Sequence, residues 1–210
     1  MRKLSTLTKS ALVAGSAVMA AVAFTAAPAN AAGTWTVSGG GTFTGTSTNS
    51  VLTDTSTGTQ LKCTSSTATG SAANGTGLSG TNIGTISNVT WSNCSGPLGI
   101  QFNVTADGLP WHLNAVSYSG GVTTGTLSGV KAHIGGFGCT ASFAGATSTA
   151  TATLDVKYNN TTHVLTLLGT GNLHAWGVSG TCLGLINSGD PASYKGDYAL
   201  SPATLTITSP

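Results

Sequence analysis

Histidine, aspartate and serine are the residues of this 210-residue chain whose side chains could carry out catalysis. A histidine is the usual general base and metal ligand of proteins, and the chain places its four at His112, His133, His163 and His174. Their spacing fits no H-x-H or H-E-x-x-H pattern, and no G-x-S-x-G serine motif occurs. The sequence therefore predicts no metal site, no cofactor and no catalytic residue.

A pair of carboxylates is the second kind of chemistry to consider, because glycosidases use two that lie about 5–10 Å apart. The chain has five aspartates and no glutamate, and of these five Asp190 and Asp197 are the best candidates for such a pair. The residues around Asp190, Ser-Gly-Asp-Pro, are more typical of a turn. A secreted hydrolase that uses His and Asp residues stays open as an alternative function.

Tryptophan offers binding rather than catalysis. Exposed indole rings can stack on sugars, whereas buried rings fill a core, and sequence does not separate the two cases. His174 precedes Trp176 by two residues, so both lie on one face of a strand. We name as ligand-binding candidates Trp35, Trp91, Trp111, Trp176 and His174, with a neutral polysaccharide or the cell wall as the expected partner.

The N-terminal segment has the layout of a secretory signal peptide. Residues 1–9 include Arg2, Lys3 and Lys9, residues 11–24 are mostly apolar, and Ala-Asn-Ala at 29–31 is a cleavage site of small residues. The apolar part is shorter than the roughly 20 residues of a spanning helix, so we expect no stable membrane insertion. The sequence predicts a signal peptide at 1–31 and a secreted, extracellular bacterial protein at 32–210.

The charge of the mature chain excludes one class of partner. It carries four scattered lysines, five aspartates and no arginine, which gives a net charge of −1 with neutral histidines. Nucleic-acid binding requires clustered basic residues that neutralise phosphates. We therefore expect no nucleic-acid partner.

The four cysteines agree with export. An even number in a secreted chain indicates disulfides, and the absence of C-x-x-C spacing disfavours a zinc site. Sequential pairing gives each half of the chain its own crosslink, so we predict the bridges Cys63–Cys94 and Cys139–Cys182.

Apolar and polar residues alternate along several segments, and this period of two is typical of half-buried strands. Residues 152–158 show it best, followed by a turn at 159–162 and a return strand at 163–168. Segment 42–84, rich in Ser, Thr and Gly, is either partly flexible or a set of surface strands with small side chains. The spacing favours an all-β fold, an antiparallel sandwich or barrel. The other predicted strands lie at 35–37, 42–46, 60–64, 83–91, 99–105, 111–118, 122–134, 173–178 and 204–208.

A weak internal repeat accompanies these strands. The order Ser-Gly-Gly, Gly-Thr, Cys, Trp, Cys occurs twice, which suggests two related halves at about 32–114 and 115–210 within a single β domain.

The Ala-rich signal and several short motifs resemble a group of uncharacterised exported proteins of actinobacteria. The motifs are the Gly-Pro after Cys94, the Leu-Pro-Trp at 109–111, and the Cys-Leu-Gly-Leu-Ile at 182–186 with the Ser-Gly-Asp at 188–190. The resemblance covers most of the mature chain and implies export and a β-rich fold. It implies no activity and no site.

These observations predict a secreted, non-catalytic β-sandwich protein that is structural or binds a ligand at the cell surface or in the medium. Besides the hydrolase, a second alternative is an outer-envelope β-barrel, which would need outward apolar bands and aromatic girdles. The oligomeric state stays open.

Overall fold

A computed structural model describes residues 34–209, and the predicted signal peptide lies outside them. Between residues 34 and 209 the chain forms fifteen β-strands and one short 3-10 turn at Pro97–Gly99. The all-β prediction is therefore confirmed. No helix within this range is long and apolar enough to cross a membrane. The strands are β1 Trp35–Ser38, β2 Gly41–Ser47, β3 Ser50–Asp54, β4 Gln60–Ala72, β5 Gly75–Leu78, β6 Gly84–Ser95, β7 Gln101–Asp107, β8 Trp111–Ser119, β9 Val122–Gly136, β10 Cys139–Ala144, β11 Ala152–Asn159, β12 Val164–Gly171, β13 His174–Gly180, β14 Ala192–Ser201 and β15 Thr206–Thr208.

Twelve of these strands form one closed antiparallel barrel. Four positions of the barrel are occupied by one continuous strand each: β4, β6, β9 and β14. Each of the other four positions is shared by two consecutive strands, which together make one interrupted strand: β2 with β3, β7 with β8, β10 with β11, and β12 with β13. Each of these eight long elements pairs with the next one along the chain, and β14 returns to β2 and β3. The fold is thus an eight-membered up-and-down barrel. The suggested boundary between halves falls inside β8, and both halves share this one sheet.

Alternation places the apolar side chains inside the barrel. In β11, Ala152, Leu154, Val156 and Tyr158 are buried, as the sequence pattern predicts. The return strand β12 pairs antiparallel with β11 and confirms the predicted hairpin. Segment 42–84 forms β2 to β5 and the first residue of β6, so the strand interpretation of that segment is correct.

One end of the barrel is closed by a separate three-stranded sheet in the order β15–β1–β5. Trp35, Val37 and Ile207 of this sheet are buried. The Ile207 carbonyl accepts hydrogen bonds from Thr123 Oγ1 at 2.7 Å and from Asn160 Nδ2 at 2.8 Å, at the start of β9 and just after β11. The closing sheet is thereby fixed to the barrel strands.

Both predicted disulfides are confirmed. Cys63 and Cys94 lie directly opposite each other on the paired strands β4 and β6, with a Cα–Cα distance of 3.9 Å. Cys139 begins β10, and Cys182 follows β13, with a Cα–Cα distance of 4.8 Å. The second bridge crosslinks the end of the barrel opposite the closing sheet.

Candidate functional site

A cavity of about 280 Å³ opens at the end of the barrel opposite the closing sheet. We call this end the mouth; it is formed by the chain segments 52–61, 96–102, 134–143 and 181–186. Its walls are almost entirely apolar because each strand turns its apolar residues inward there, and Leu52, Leu61, Ile134 and Phe143 form the floor. An eight-stranded barrel is just wide enough to be filled by side chains or to hold one small ligand.

Below the floor the barrel is filled by side chains. A cavity of about 50 Å³ follows, lined in part by Trp91 and Trp111, and two smaller ones of about 40 and 30 Å³ lie deeper. Space for a ligand is therefore concentrated at the mouth.

A buried hydrogen-bond chain lies below the floor. Trp91 Nε1 donates to Tyr194 Oη at 2.8 Å, the two tyrosine hydroxyls of Tyr194 and Tyr198 are 2.6 Å apart, and Tyr198 Oη lies 2.8 Å from Ser66 Oγ. Burial raises the pKa of the Tyr194 hydroxyl, and the neighbouring Tyr198 raises it further. These groups satisfy one another, as buried polar groups must.

Three exposed apolar side chains surround the cavity, and we call them the rim: Leu98, Phe137 and Leu183, with exposed fractions of 96%, 82% and 74%. Each has a positive φ, and each is followed by a glycine that also has a positive φ. Two consecutive left-handed residues favour Asn-Gly or Asp-Gly, and a bulky residue in this conformation costs about 1–2 kcal/mol. The rim therefore holds apolar side chains in water at an energetic cost.

The mouth also contains a buried carboxyl group. Asp54 is 3% exposed; its Oδ1 accepts hydrogen bonds from the backbone N–H groups of Ser56 and Thr57 at 2.9 and 3.0 Å. Within residues 34–209 no donor reaches its Oδ2. Burial raises the pKa of Asp54, and the negative charge of nearby Asp190 adds to the increase, against the lowering effect of the Thr57 N–H. Hydrogen bonds from Asn187 lower the pKa of Asp190.

Replacing Asp54 with asparagine is expected to stabilise the folded protein near neutral pH. The amide oxygen of the asparagine keeps both backbone hydrogen bonds. Its amide nitrogen takes the place of Oδ2, so that a hydrogen-bond donor replaces an unpaired oxygen that the negative charge of Asp190 repels. An unpaired buried acceptor costs about 1–3 kcal/mol, and 1 kcal/mol corresponds to roughly 2–4 °C in the melting temperature of such a domain. We expect Asp54→Asn to raise the Tm at pH 7 by at least roughly 2–4 °C, the shift that corresponds to 1 kcal/mol.

The pH dependence of this effect has a defined sign. A carboxyl whose pKa is higher in the folded protein binds more protons when folded, so its contribution to stability falls as pH rises from the unfolded to the folded pKa. The advantage of Asp54→Asn should therefore shrink as the pH falls from the raised folded pKa of Asp54 towards the ordinary aspartate pKa of 3.8, and should be smallest below 3.8. Asp197→Asn is the opposite control: hydrogen bonds from Thr166 and Asn49 lower the pKa of Asp197, so this change should lower the Tm at pH 7. A less stable Asp54→Asn protein at pH 7 would contradict the interpretation.

The structure corrects two of the ligand-binding candidates. Trp35 and Trp111 are 4% and 5% exposed, Trp35 in the closing sheet and Trp111 inside the barrel, where its Nε1 donates to the Asp107 carbonyl at 3.0 Å. Both rings belong to the hydrophobic core, so neither presents a face to a ligand in solution. Trp91 is half-buried, and its ring meets the Tyr194 ring edge-on beneath the floor of the cavity.

His174 and Trp176 lie together on the outer surface of β13, as their spacing predicts, with ring centroids 6.3 Å apart at 32°. Trp176 Nε1 donates to the Gly145 carbonyl at 3.0 Å, which fixes the half-buried ring. Ser142 of β10 lies opposite both Trp176 and His133 of β9. The outer surface of these strands thus gathers two imidazoles, an indole and a hydroxyl, and we call this group with Asp107 the outer patch.

The outer patch also contains a His–Asp pair. His133 Nδ1 lies 2.9 Å from Asp107 Oδ2, and the two side chains are 48% and 43% exposed. Among residues 34–209, no hydroxyl group is hydrogen-bonded to His133, and no cluster of three His, Cys, Asp or Glu side chains is arranged to hold a metal ion.

Asp190 and Asp197, considered above as a carboxylate pair for a hydrolase, have different neighbours. Asp190 belongs to a turn, where its N–H donates to the Asn187 carbonyl at 3.1 Å, and its carboxylate neighbours Asp54. Asp197 Oδ1 accepts a hydrogen bond from Thr166 Oγ1 at 2.7 Å on the barrel surface.

Sequence reasoning missed the mouth and the rim. The only available signal was the Pro-Leu-Gly, Gly-Phe-Gly and Cys-Leu-Gly segments at 97–99, 136–138 and 182–184, which place a large apolar residue where a tight turn normally has Asn or Asp.

Comparison of the chain with protein-family models, with curated proteins and with solved structures found no match. The resemblance to exported actinobacterial proteins accordingly stays a prediction.

Proposed function

We propose that this protein binds a small apolar molecule, or the apolar end of a longer one, in the mouth of the barrel. The observation that carries the proposal is the open apolar cavity of about 280 Å³. This volume lies just below the usual range for ligand pockets, about 300–1,000 Å³.

The proposal is for binding without catalysis. Apart from Asp54, Gln60 and two threonines the cavity lining is apolar, and the exposed His133–Asp107 pair lies in the outer patch rather than in the mouth. A ligand would gain from leaving water, since apolar burial contributes roughly 25 cal/mol for each Å².

We also propose that the protein works outside the cell. Two disulfides are typical of oxidising compartments, and strands such as β4 and β11 place their apolar residues inside and Lys62, Thr64, Asp155 and Lys157 on the outer side. A barrel in lipid shows the reverse distribution, so this pattern favours a secreted protein over the outer-envelope alternative.

The test is titration of residues 32–210 with 1-aminonaphthalene, a small neutral probe whose fluorescence rises in apolar surroundings. We expect saturable binding that Leu185→Trp weakens at least tenfold, because half-buried Leu185 lines the cavity and an indole would fill it. Leu168→Trp makes the same change on β12, away from the mouth, and should leave the affinity unchanged. Equal affinities for the two variants, or no saturable binding by the wild type, would refute the proposal.

The outer patch supports a second candidate, binding of a neutral polysaccharide. The observation that favours it is the half-buried His174–Trp176 ring pair beside Ser142 and His133, whose side chains are able to hydrogen-bond a sugar hydroxyl. This hypothesis requires retention of the protein on insoluble polysaccharide or cell wall, and loss of that retention in Trp176→Ala. Retention that survives this change would exclude the outer patch as the binding surface.

A further inference from the structure

We propose that the rim is a lipid-docking surface, with which the protein inserts Leu98, Phe137 and Leu183 into a bilayer of neutral phospholipid. This interaction goes beyond ligand binding in the mouth and does not depend on it.

The three side chains share one construction on three separate turns. Leu98 lies between β6 and β7, Phe137 between β9 and β10, and Leu183 after β13, all at the same end of the barrel. They are three of the five large apolar residues that are exposed in the part of the chain that the structure describes. The other two, Val116 and Leu168, lie on strands rather than at the mouth.

The backbone shows that these side chains are not a by-product of turn formation. The turn from β9 to β10 has Phe137 and Gly138 at its two positive-φ positions, whereas the turn from β8 to β9, at the closed end, uses Gly120 and Gly121 at the equivalent positions. The fold thus makes the same turn without a large side chain where no docking surface is needed. At the mouth it accepts an unfavourable apolar residue three times.

The charge distribution around the rim fits lipid. Segments 95–101, 135–140 and 180–187, which carry the three turns, contain no charged residue, so contact of these turns with a bilayer desolvates no ion of their own. Asp54, which lies at the same end of the barrel, is already buried. Lys62 lies opposite Ser95 on the outer side of β4 and flanks the Gly96–Pro97 turn. A lysine in this position can bury its aliphatic stem while its ammonium group reaches the lipid phosphates.

The arrangement favours a bilayer over a protein partner. Isolated apolar side chains on separate turns around an open cavity do not form the continuous packed face that a protein interface requires. A fluid lipid surface accepts separate side chains individually. Mouth-down docking would also join the apolar cavity to the lipid interior.

The experiment is cosedimentation of residues 32–210 with phosphatidylcholine vesicles. We expect binding that falls at least tenfold in the triple variant L98N/F137N/L183N. Asparagine is favoured in left-handed turns, so the triple variant should keep or raise its Tm, and loss of binding cannot be attributed to unfolding. The matched control is V116T/L168T, which removes two exposed apolar side chains elsewhere and should bind vesicles like the wild type.

Three results would overturn the proposal: no sedimentation of the wild type, undiminished sedimentation of the triple variant, or equal losses in the triple and control variants. A wild-type dimer in gel filtration that becomes monomeric in L98N/F137N/L183N would assign the rim to self-association instead. The cavity is tested independently, because Leu185→Trp should still bind vesicles. Leu98→Asn alone, whose side chain does not line the cavity, should weaken vesicle binding and leave 1-aminonaphthalene binding unchanged.

Discussion

Replacing Cys139 and Cys182 with alanine is expected to lower the free energy of unfolding by about 4 kcal/mol and to abolish probe binding in the mouth. The stability loss follows from a bridge between residues 43 apart, whose removal frees the unfolded chain. It corresponds to a fall in Tm of roughly 8–16 °C. Binding is lost because Cys182 holds the 181–186 segment, with Leu185 and Ile186, against β10.

The other disulfide is the matched control. Cys63→Ala with Cys94→Ala opens a bridge between residues 31 apart, so the chain-entropy loss is also about 4 kcal/mol. These cysteines lie on strands β4 and β6, which many backbone hydrogen bonds hold together. Urea unfolding should show the same destabilisation in both variants. Probe titration, at a temperature where both are folded, should show binding by the control and no binding by the variant that lacks Cys139 and Cys182. Equal loss of probe binding in both would mean that the second bridge does not shape the mouth.

Replacing Trp111 with alanine is expected to destabilise the protein by about 3–5 kcal/mol, the cost of removing a large buried ring. Trp111 is 5% exposed, borders two internal cavities and donates a hydrogen bond to the Asp107 carbonyl. Trp176→Ala removes the same side chain from the outer patch and should cost less, within about 1–2 kcal/mol.

Urea unfolding monitored by far-UV circular dichroism measures both changes. Comparable destabilisation by the two substitutions would contradict the burial assignment, and a larger cost for Trp176→Ala would reverse it. The same measurement shows whether Trp176→Ala stays folded, so that a loss of retention on polysaccharide in this variant can be attributed to binding.

Much of the barrel follows from local pattern. The alternation in β11, the Asn- and Thr-rich turn after it and the pairing with β12 follow from a period of two and from turn chemistry. The order of the cysteines favoured the correct bridges because consecutive strands pair throughout the barrel, which brings sequential cysteines together.

Other strands lack that pattern for a physical reason. No individual strand was predicted at β3, β5, β10 or β14, although β3 and β5 lie in the segment 42–84 for which strands were one interpretation. In β2 and β3, Ser47 and Ser50 point inward, and the buried hydroxyl of Tyr198 explains why the interior accepts polar residues there. In β14, Gly196 lies where a Cβ would come within 3.2–3.5 Å of Tyr198, Ser50 and Ser47, so a small residue interrupts the apolar alternation.

The site was harder to predict than the fold. Whether a tryptophan faces the interior or water depends on how eight long elements close, and Trp111 and Trp176 differ in that respect although both lie on strands. The rim depends on turn geometry, since Phe137 is exposed only because a two-residue turn projects it beyond the sheet. The rim side chains are apolar and match no catalytic or metal-binding motif, so no such motif points to them.

Strands β1 and β15 pair with each other in the closing sheet, with Thr36 opposite Thr208. Both ends of the described chain therefore emerge at the pole opposite the mouth. A protein immobilised on a bead or a sensor chip through either end would present its cavity to the solution. A short linker between these ends, with new termini opened at Gly108 between β7 and β8, would give a circular permutant with every strand pairing retained.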